Sequence, residues 1–307
     1  MRYAISIPQL VSDGAFDPRA FAAYLRRAEE LGFESAWSQE QVLGTASLLS
    51  PLETMTFAAA CTDRLRLGCV VFVTPLHTPV HLAKALASLD QLSRGRLEIG
   101  IGTGGRRPAR AYGLDGEHLV GRFTEGLRLM KALWTEDEVT FPGRFWQLEG
   151  QPMTPHPFQK PHPPIWFGAN HPQALRRTAR LADGFFGAGS TTTARFAEQV
   201  PIVRAALGEA GREAAAFGIA KRVYIGVDDD PARARERVEQ GLHRIYAGAP
   251  IPNLMDVAVR GTPADCVEGV REVIRAGAER ILFTVLPPDE AEQMERIAAD
   301  VIPYLES

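Results

Sequence analysis

The sequence predicts an α/β fold, specifically a (β/α)8 TIM barrel in which eight parallel strands alternate with helices. Two observations support this. Short β-rich runs alternate with longer amphipathic segments along the whole chain, and there are eight such runs. Several of the runs are apolar throughout, as in strands of a parallel sheet that is covered on both faces. A barrel of this kind needs about 250 residues, so the 307 residues of the chain leave room for insertions.

The strand positions follow a regular spacing. The first four runs begin 31 residues apart, which is enough for one strand, one helix and two connections. The surplus length falls in two segments, 104–118 after strand four and 136–163 before strand five. No change of composition marks a boundary, so residues 1–307 are predicted to form one domain. The predicted strands begin at Tyr3, Glu34, Leu65, Arg96, Pro164, Gly184, Arg222 and Ile281.

The helix starts are marked by a polar residue followed by proline, a pair that suits the N-cap and first turn of a helix. Thr262 is also followed by Asp265, the spacing of a short-armed capping box. Gly32 and Gly277 stand where helices should end in a residue that tolerates positive φ. The five polar-proline pairs begin at Asp17, Ser50, Thr78, Asp230 and Thr262.

Composition excludes several classes of function. A net charge of −3 gives no electrostatic reason to expect a nucleic acid or an anionic membrane as a partner. The N-terminus does not look like a signal peptide, and no apolar run approaches the length of a membrane span, so a cytoplasmic protein is expected. The cysteines Cys61, Cys69 and Cys266 are far apart and the histidines are scattered, which argues against disulfides and against a metal site.

The most conspicuous motif is a glycine turn after strand four. Gly100, Gly102 and Gly105 have the spacing G-x-G-x-x-G of a dinucleotide-binding turn. That motif normally follows the first strand and leads directly into a helix, whereas this one follows the fourth strand and leads into a loop. In a barrel, the same turn lies at the carboxyl ends of the strands, where active sites form. The alternative is a simple bend between a strand and a loop.

Two further segments rich in small residues are predicted at the same end of the barrel. Residues 167–172 follow strand five, and residues 187–193 precede a helix. Glycine, hydroxyl groups and a helix N-terminus together suit a phosphate group. The alternative is that the Ser and Thr residues serve only as N-caps.

Taken together, these segments resemble the bacterial-luciferase-like superfamily of flavin- and deazaflavin-dependent oxidoreductases. The resemblance rests on VVFVTPLHTPVHLAKAL and DQLSRGRLEIGIGTGG, on GRFTEGLRLMKALW with FPGRFWQL, and on PPIWFGANHPQALRRTARLADGFF. It extends in order over nearly the entire chain, ending with GTPADCVEGVREVIRAGAERILF. Each piece alone is weak, but their conjunction is specific.

The resemblance implies that the barrel mouth holds coenzyme F420, a 5-deazaflavin, or alternatively FMN. It also implies a bulge or non-prolyl cis peptide in strand three under the ring, at Val71-Phe72. Thr103 and Gly104 match positions that contact the ring. The positions matched to phosphate or ribityl contacts, with their neighbours, are Gly168, Ala169, Asn170, Gly189, Ser190 and Thr191.

Departures from the family pattern bear on the chemistry. Many relatives end strand two with Asp-His, and the sugar-phosphate dehydrogenases add a glutamate after the glycine turn. This chain has Glu40-Gln41 and Gly105 there, so a sugar dehydrogenase is not expected. Glu40 is the candidate proton donor or acceptor, and Gln41 can hydrogen-bond but cannot titrate. The candidate substrate-pocket residues are Trp37, His77, Arg106, Arg107 and Trp146, although Trp37 and Phe72 would equally serve as barrel core.

The expected activity is hydride transfer between F420 and an unidentified organic substrate. The nearest alternative is an FMN-dependent monooxygenase that uses O2. A non-catalytic flavin-binding barrel also stays open, as does an ordinary phosphate-binding barrel enzyme such as an aldolase. The only expected partner is a small organic substrate, and exposed barrel helices leave a homodimer open.

Overall fold

The structure is a computed structural model, and it describes residues 1–11, 15–44, 46–104, 109–114, 116–246 and 254–305. Eight parallel strands pair in sequence order, and the last pairs with the first, so the predicted closed barrel is confirmed. The barrel strands are β1 (Arg2–Ser6), β2 (Ser35–Ser38), β3 (Arg66–Val73), β4 (Leu97–Gly102), β7 (Ile165–Gly168), β8 (Gly184–Gly187), β9 (Gly218–Val227) and β11 (Arg280–Thr284).

Helices surround the strands, and most begin at the predicted proline. Asp17, Asp230 and Thr262 accept N-cap hydrogen bonds, whereas Ser50 and Thr78 precede their helices without one. Among the described residues, no helix combines the length and apolar character needed to cross a bilayer. The helices are α1 (Pro18–Glu30), α2 (Pro51–Cys61), α3 (Pro79–Leu92), α4 (Leu119–Thr135), α5 (Pro172–Leu181), α6 (Thr193–Glu209), α7 (Pro231–Ile245), α8 (Pro263–Arg275) and α9 (Glu290–Arg296).

Three strands do not belong to the eight-stranded barrel. An antiparallel hairpin of β5 (Val139–Pro142) and β6 (Gln147–Gln151) occupies part of the predicted insertion 136–163. Strand β10 (Ala258–Gly261) was not predicted. It pairs with the second half of β9, beyond the part of β9 that pairs with β8. Strands β8 and β9 therefore separate towards the barrel mouth, where β10 replaces β8 as the hydrogen-bonding partner of β9.

The middle of the barrel interior is filled by aromatic side chains. Trp37 of β2 and Trp166 of β7 are 2% and 5% exposed. Glycines on adjacent strands make room for them, because a Cβ atom at Gly68 would overlap Trp37 and one at Gly184 would overlap Trp166. The interior cluster consists of Ala4, Trp37, Trp166, Phe186, Ala220 and Leu282, and a larger apolar cluster fills the layer between strands and helices.

Below these rings, the floor of the barrel contains a buried ion-pair network. Arg280 contacts Glu98 at 2.5 Å and Glu34 at 3.1 Å, and Arg66 contacts Glu98 at 2.7 Å. Trp166 Nε1 also donates to Glu98 at 2.7 Å. Burial by itself raises the pKa of Glu98, but the charges and hydrogen bonds of Arg280 and Arg66 outweigh it and hold the pKa below its ordinary value.

Candidate active site

Strand β3 is irregular where it approaches the barrel mouth. Its register against β4 shifts between Cys69 and Phe72, so that Val70 and Val71 together stand opposite Gly100. The peptide bond between Val70 and Val71 is cis. The prediction placed this irregularity at Val71-Phe72, which is wrong by one bond. Phe72 has already returned to the regular ladder with β4, so the bulge consists of the two residues before it, one more than β4 has at that point.

The bulge brings a half-buried valine against two glycines of neighbouring strands. A Cβ atom at Gly102 would lie 2.8 Å from Val71 Cγ2, and one at Gly168 would lie 2.9 Å from Val71 Cγ1. Gly104 has a φ of 63°, and an added Cβ there would overlap Val73. The ends of β3, β4 and β7 therefore meet around Val71, with no space for side chains at the three glycines.

The loops after β7 and β8 are joined by side-chain hydrogen bonds. The amide oxygen of Asn170 accepts from the Thr191 hydroxyl at 3.1 Å and from Gln199 Nε2 at 3.3 Å. Lys221 Nζ donates to the carbonyl of Ala188 at 2.6 Å, which holds the second loop against β9. The predicted phosphate or ribityl residues thus lie at the end of β7, in the case of Gly168, and otherwise in the two connected loops: Ala169, Asn170, Gly189, Ser190 and Thr191.

Glu40, the predicted proton donor or acceptor, is directly paired with His77. The Glu40 side chain is 4% exposed; its Oε2 accepts from the backbone N–H of Val73 at 2.7 Å, and its Oε1 lies 2.7 Å from His77 Nε2. Since an ionised carboxylate only accepts hydrogen bonds, this contact places a proton on Nε2. His77 is 26% exposed, and its other ring nitrogen, Nδ1, has no hydrogen-bond partner within the described residues.

Other predicted residues lie elsewhere or make different contacts. Phe72 is fully buried in the layer between strands and helices, so its side chain cannot lie beside a ring in the mouth. Trp37 belongs to the interior cluster, as its alternative core role requires, and it also lines a cavity at the mouth. Gln41 packs on Gly44, with no hydrogen bond to Glu40 or His77 among the described residues. Trp146 packs against α4, where the Arg122 guanidinium lies 5.7 Å from its ring. Arg106 and Arg107 lie outside the described residues.

Two residues in this part of the structure were not predicted from the sequence. Arg222 lies in the middle of β9, which begins at Gly218 and not at Arg222 as predicted, and its side chain lines a cavity at the mouth. Tyr112 belongs to a short 3-10 helix in the loop after β4. Burial and, secondarily, the charge of Glu40 raise the pKa of Tyr112.

Comparison with known proteins identifies the family. A family model for luciferase-like monooxygenases matches residues 1–280. The chain belongs to the luciferase-like monooxygenase family. It is therefore an oxidoreductase, and the resemblance inferred from its motifs is confirmed.

Similar proteins share the fold, and their names state different activities. The F420-dependent glucose-6-phosphate dehydrogenase of Kineococcus radiotolerans is 27% identical, over 94% of this chain and 94% of that protein. A monooxygenase from Streptomyces bottropensis superposes with a TM-score of 0.86 at 23% identity, covering 99% of each chain. The FMN-bound oxygenating constituent of the 3,6-diketocamphane monooxygenase from Pseudomonas putida gives a TM-score of 0.80 at 18% identity, covering 99% and 98%.

Proposed function

We propose that this oxidoreductase transfers hydride between F420 and an organic substrate at the mouth of its barrel. The observation that carries the proposal is the arrangement around Val71, an apolar, half-buried residue flanked by Gly102 and Gly168. A flat ring can lie on such a surface because no side chain rises from the glycines. F420 is preferred over FMN because the F420-dependent relative is 27% identical to this chain, whereas the FMN-bound structure is 18% identical.

The residues present fit a bound deazaflavin. Val71, Thr103 and Gly104 would contact the ring, and the connected loops after β7 and β8 would contact the tail, with Asn170 and Thr191 as their polar groups. Phe72 is excluded from this set by its burial in the outer layer. When bound, F420 supplies the hydride acceptor or donor carbon, and the protein supplies orientation and a site that excludes water.

Hydride transfer at a carbon bonded to oxygen also requires a proton to be accepted or released at that oxygen. Glu40 is nearly inaccessible, and both of its oxygens are already engaged, with His77 and Val73. His77 is the more exposed member of the pair and keeps Nδ1 available. We therefore propose that His77 Nδ1 accepts or releases this substrate proton, while Glu40 accepts the hydrogen bond from Nε2–H and so holds the ring and its tautomer in place.

The pairing also limits the significance of the missing Asp-His dipeptide. In this chain a carboxylate from the loop after β2 meets a histidine from the loop after β3. A carboxylate and an imidazole are thus joined across two loops, although they are 37 positions apart in sequence. The proposed chemistry needs this contact and does not need the two residues to be adjacent in the chain.

The proposal is tested by titrating the purified protein with F420 and, separately, with FMN, and following the visible spectrum. We expect F420 to bind and Gly168→Ala to weaken its binding by about tenfold, or about 1.4 kcal/mol. The added Cβ would lie 2.9 Å from Val71 Cγ1 and push that side chain towards the ring. Gly208→Ala is the matched control, because nothing lies within 4 Å of its added Cβ.

A double variant sharpens the same experiment. Val71→Ala removes the atom with which the new methyl of Gly168→Ala collides, so the combination should recover most of the lost affinity. FMN binding with O2 consumption on reduction would instead favour a monooxygenase, the activity named for the similar Streptomyces bottropensis structure. Failure of both cofactors to bind would contradict the proposed site.

A further inference from the structure

Arg222 is a cation inside the mouth of the barrel. It stands opposite Leu282 of β11 in the parallel ladder. Ala220, two positions earlier on β9, belongs to the interior cluster together with Leu282. Because side chains alternate along a strand, Arg222 shares the interior face, one layer closer to the mouth than Ala220. It is half-buried there.

The guanidinium of Arg222 has no counter-ion among the residues that the structure describes. Its Nε donates to the Thr284 hydroxyl at 2.9 Å, and its central carbon lies 4.9 Å from the ring centre of Tyr224. Among the described residues, no carboxylate oxygen lies within 4.0 Å of it and no hydrogen bond engages its terminal nitrogens. Arginine cannot shed its charge when it is partly buried. The remaining donors are therefore available to a ligand.

The cavity beside Arg222 has unused hydrogen-bond donors of its own. Ser6 Oγ accepts from the backbone of Val285 and Thr284 Oγ1 accepts from Arg222, while neither hydroxyl proton has an acceptor within the described residues. Trp37 lines the same cavity. A cavity that combines a guanidinium with two free hydroxyl protons favours an acceptor-rich, negatively charged group.

The size of the cavity limits the group that it can accept. It encloses about 50 Å³, which corresponds to roughly three to five water molecules at 10–15 Å³ each. A carboxylate or a phosphate group is of that size, whereas a whole substrate is not. Glu290 also lines the cavity, at more than 4.0 Å from Arg222, and its charge would oppose an anion.

The position of the cavity separates it from the proposed ring site. Arg222 lies on β9, the seventh barrel strand, and Val71 lies on β3, the third, so the two face each other across the mouth. The loops that would hold the cofactor tail follow β7 and β8, the fifth and sixth strands. A molecule held at Arg222 by one end can therefore extend towards Val71 with the other.

We infer that the substrate carries a carboxylate or phosphate group, which binds to Arg222, Thr284 and Ser6 while the reacting carbon lies towards Val71. The orientation of the reacting carbon rests on the proposed function, whereas the anion site itself does not. Arg222 and its two hydroxyl neighbours are substrate-binding residues in this assignment. A neutral substrate analogue of the same shape would lose these contacts.

The test measures anion binding to the protein without cofactor. Inorganic phosphate and acetate are titrated against sodium chloride at matched ionic strength, with thermal unfolding and intrinsic tryptophan fluorescence as readouts. We expect Arg222→Gln to weaken phosphate binding by roughly tenfold or more, the range for hydrogen bonds to charged groups. Glu290→Gln, which removes the opposing charge, is expected to tighten binding a few-fold.

Controls make the result specific. Phosphate also stabilises proteins without binding. The shift in unfolding temperature that does not depend on binding is therefore measured in Arg260→Gln, which removes an arginine whose hydrogen bonds within the described residues go only to carbonyls. If Arg222→Gln does not fold, Thr284→Val tests the same cavity by removing the hydroxyl that holds Nε. Phosphate binding equal to wild type in a folded Arg222→Gln or Thr284→Val protein would overturn the inference.

The source of the anion is tested by repeating the phosphate titration with F420 present. Unchanged phosphate affinity supports a substrate group at Arg222, whereas competition by F420 would assign the cavity to the cofactor tail and overturn the substrate assignment. Anion binding that depends on Arg222 in a protein that binds neither F420 nor FMN would leave the anion site standing and remove the proposed function. The two failures are thus distinguishable.

Discussion

The floor and the mouth of the barrel each contain an interior arginine, and their surroundings differ. Arg280 of β11, with its side chain 2% exposed, contacts the carboxylates of Glu98 and Glu34. Arg222, on the adjacent strand β9, has no carboxylate partner in the described part of the chain. At the floor the protein neutralises its own buried charge, which indicates a structural role. At the mouth a charge is left for a ligand, which indicates a functional role.

The largest predicted effect concerns the floor. Glu98→Gln removes the carboxylate shared by Arg280 and Arg66 and leaves an uncompensated buried charge. Breaking a buried pair in this way costs about 3–5 kcal/mol. We expect a decrease of that size in the free energy of unfolding, measured by urea denaturation at pH 7.

The same variant has a matched control and a pH signature. Glu268→Gln, whose partner Arg275 is exposed, should cost less than about 1 kcal/mol. The pKa of Glu98 is lowered in the folded state. Its contribution to stability is therefore present above its unfolded pKa and is lost as the pH falls through the folded pKa. In Glu98→Gln, the free energy of unfolding should therefore depend less on pH in the acid range than in the wild type. An equal decrease in the free energy of unfolding in Glu98→Gln and Glu268→Gln would contradict a structural role for the ion pairs at the floor.

An effect of intermediate size on the free energy of unfolding is predicted for Lys221, a buried lysine next to Arg222 in the sequence. Burial, with a smaller effect of the Arg222 charge, lowers the pKa of Lys221 from 10.5 to about 7. Unlike arginine, an isolated lysine can reduce the cost of burial by releasing its proton. Between pH 7 and 10.5 the unfolded chain binds more protons at this residue than the folded one, so its contribution makes stability rise with pH.

This lysine is tested by comparing slopes. The rise in the free energy of unfolding from pH 7 to pH 9 should be larger in the wild type than in Lys221→Met, by on the order of 2 kcal/mol. The difference between the slopes matters, because the substitution also leaves the carbonyls of Ala188 and Arg222 without their donor at every pH. Parallel profiles would show that Lys221 stays charged in the folded protein.

The strands and most helix starts could be predicted because their signals are local. Most barrel strands are short apolar runs, and Asp17, Asp230 and Thr262 form caps with residues two or three positions away. The start of β9 was misplaced because Gly218–Lys221 contains small and charged residues, although Ala220 and Lys221 are buried. That error placed Arg222 at the edge of a strand and concealed its interior position.

The site was predicted less completely because its contacts are not local. Nothing in the spacing of Glu40 and His77 indicates that they meet, since the contact depends on how two loops fold over adjacent strand ends. Similarly, the glycines at 102 and 168 belong to different segments, and only the barrel brings both against Val71. Family resemblance located that part of strand β3 to within one peptide bond.

The smallest change in stability is predicted for the mouth pair, with Glu40→Gln as the counterpart of Glu98→Gln. The side-chain oxygen of the new glutamine can still accept from Val73 N–H, and its amide can donate to His77 Nε2. We expect stability to change by less than about 1 kcal/mol, whereas the tautomer of His77 should switch. Nε2 then accepts and the proton moves to Nδ1.

The switch is visible in the ¹⁵N chemical shifts of the His77 ring, without substrate or cofactor. His81, whose Nδ1 is bonded to Thr78, serves as an internal reference that should not change. Retention of the wild-type tautomer in Glu40→Gln would show that Glu40 does not set the protonation of His77. The proposal that Nδ1 accepts or releases the substrate proton would then lack its basis. A switch accompanied by slower turnover of a confirmed substrate would identify Glu40 as a positioning residue.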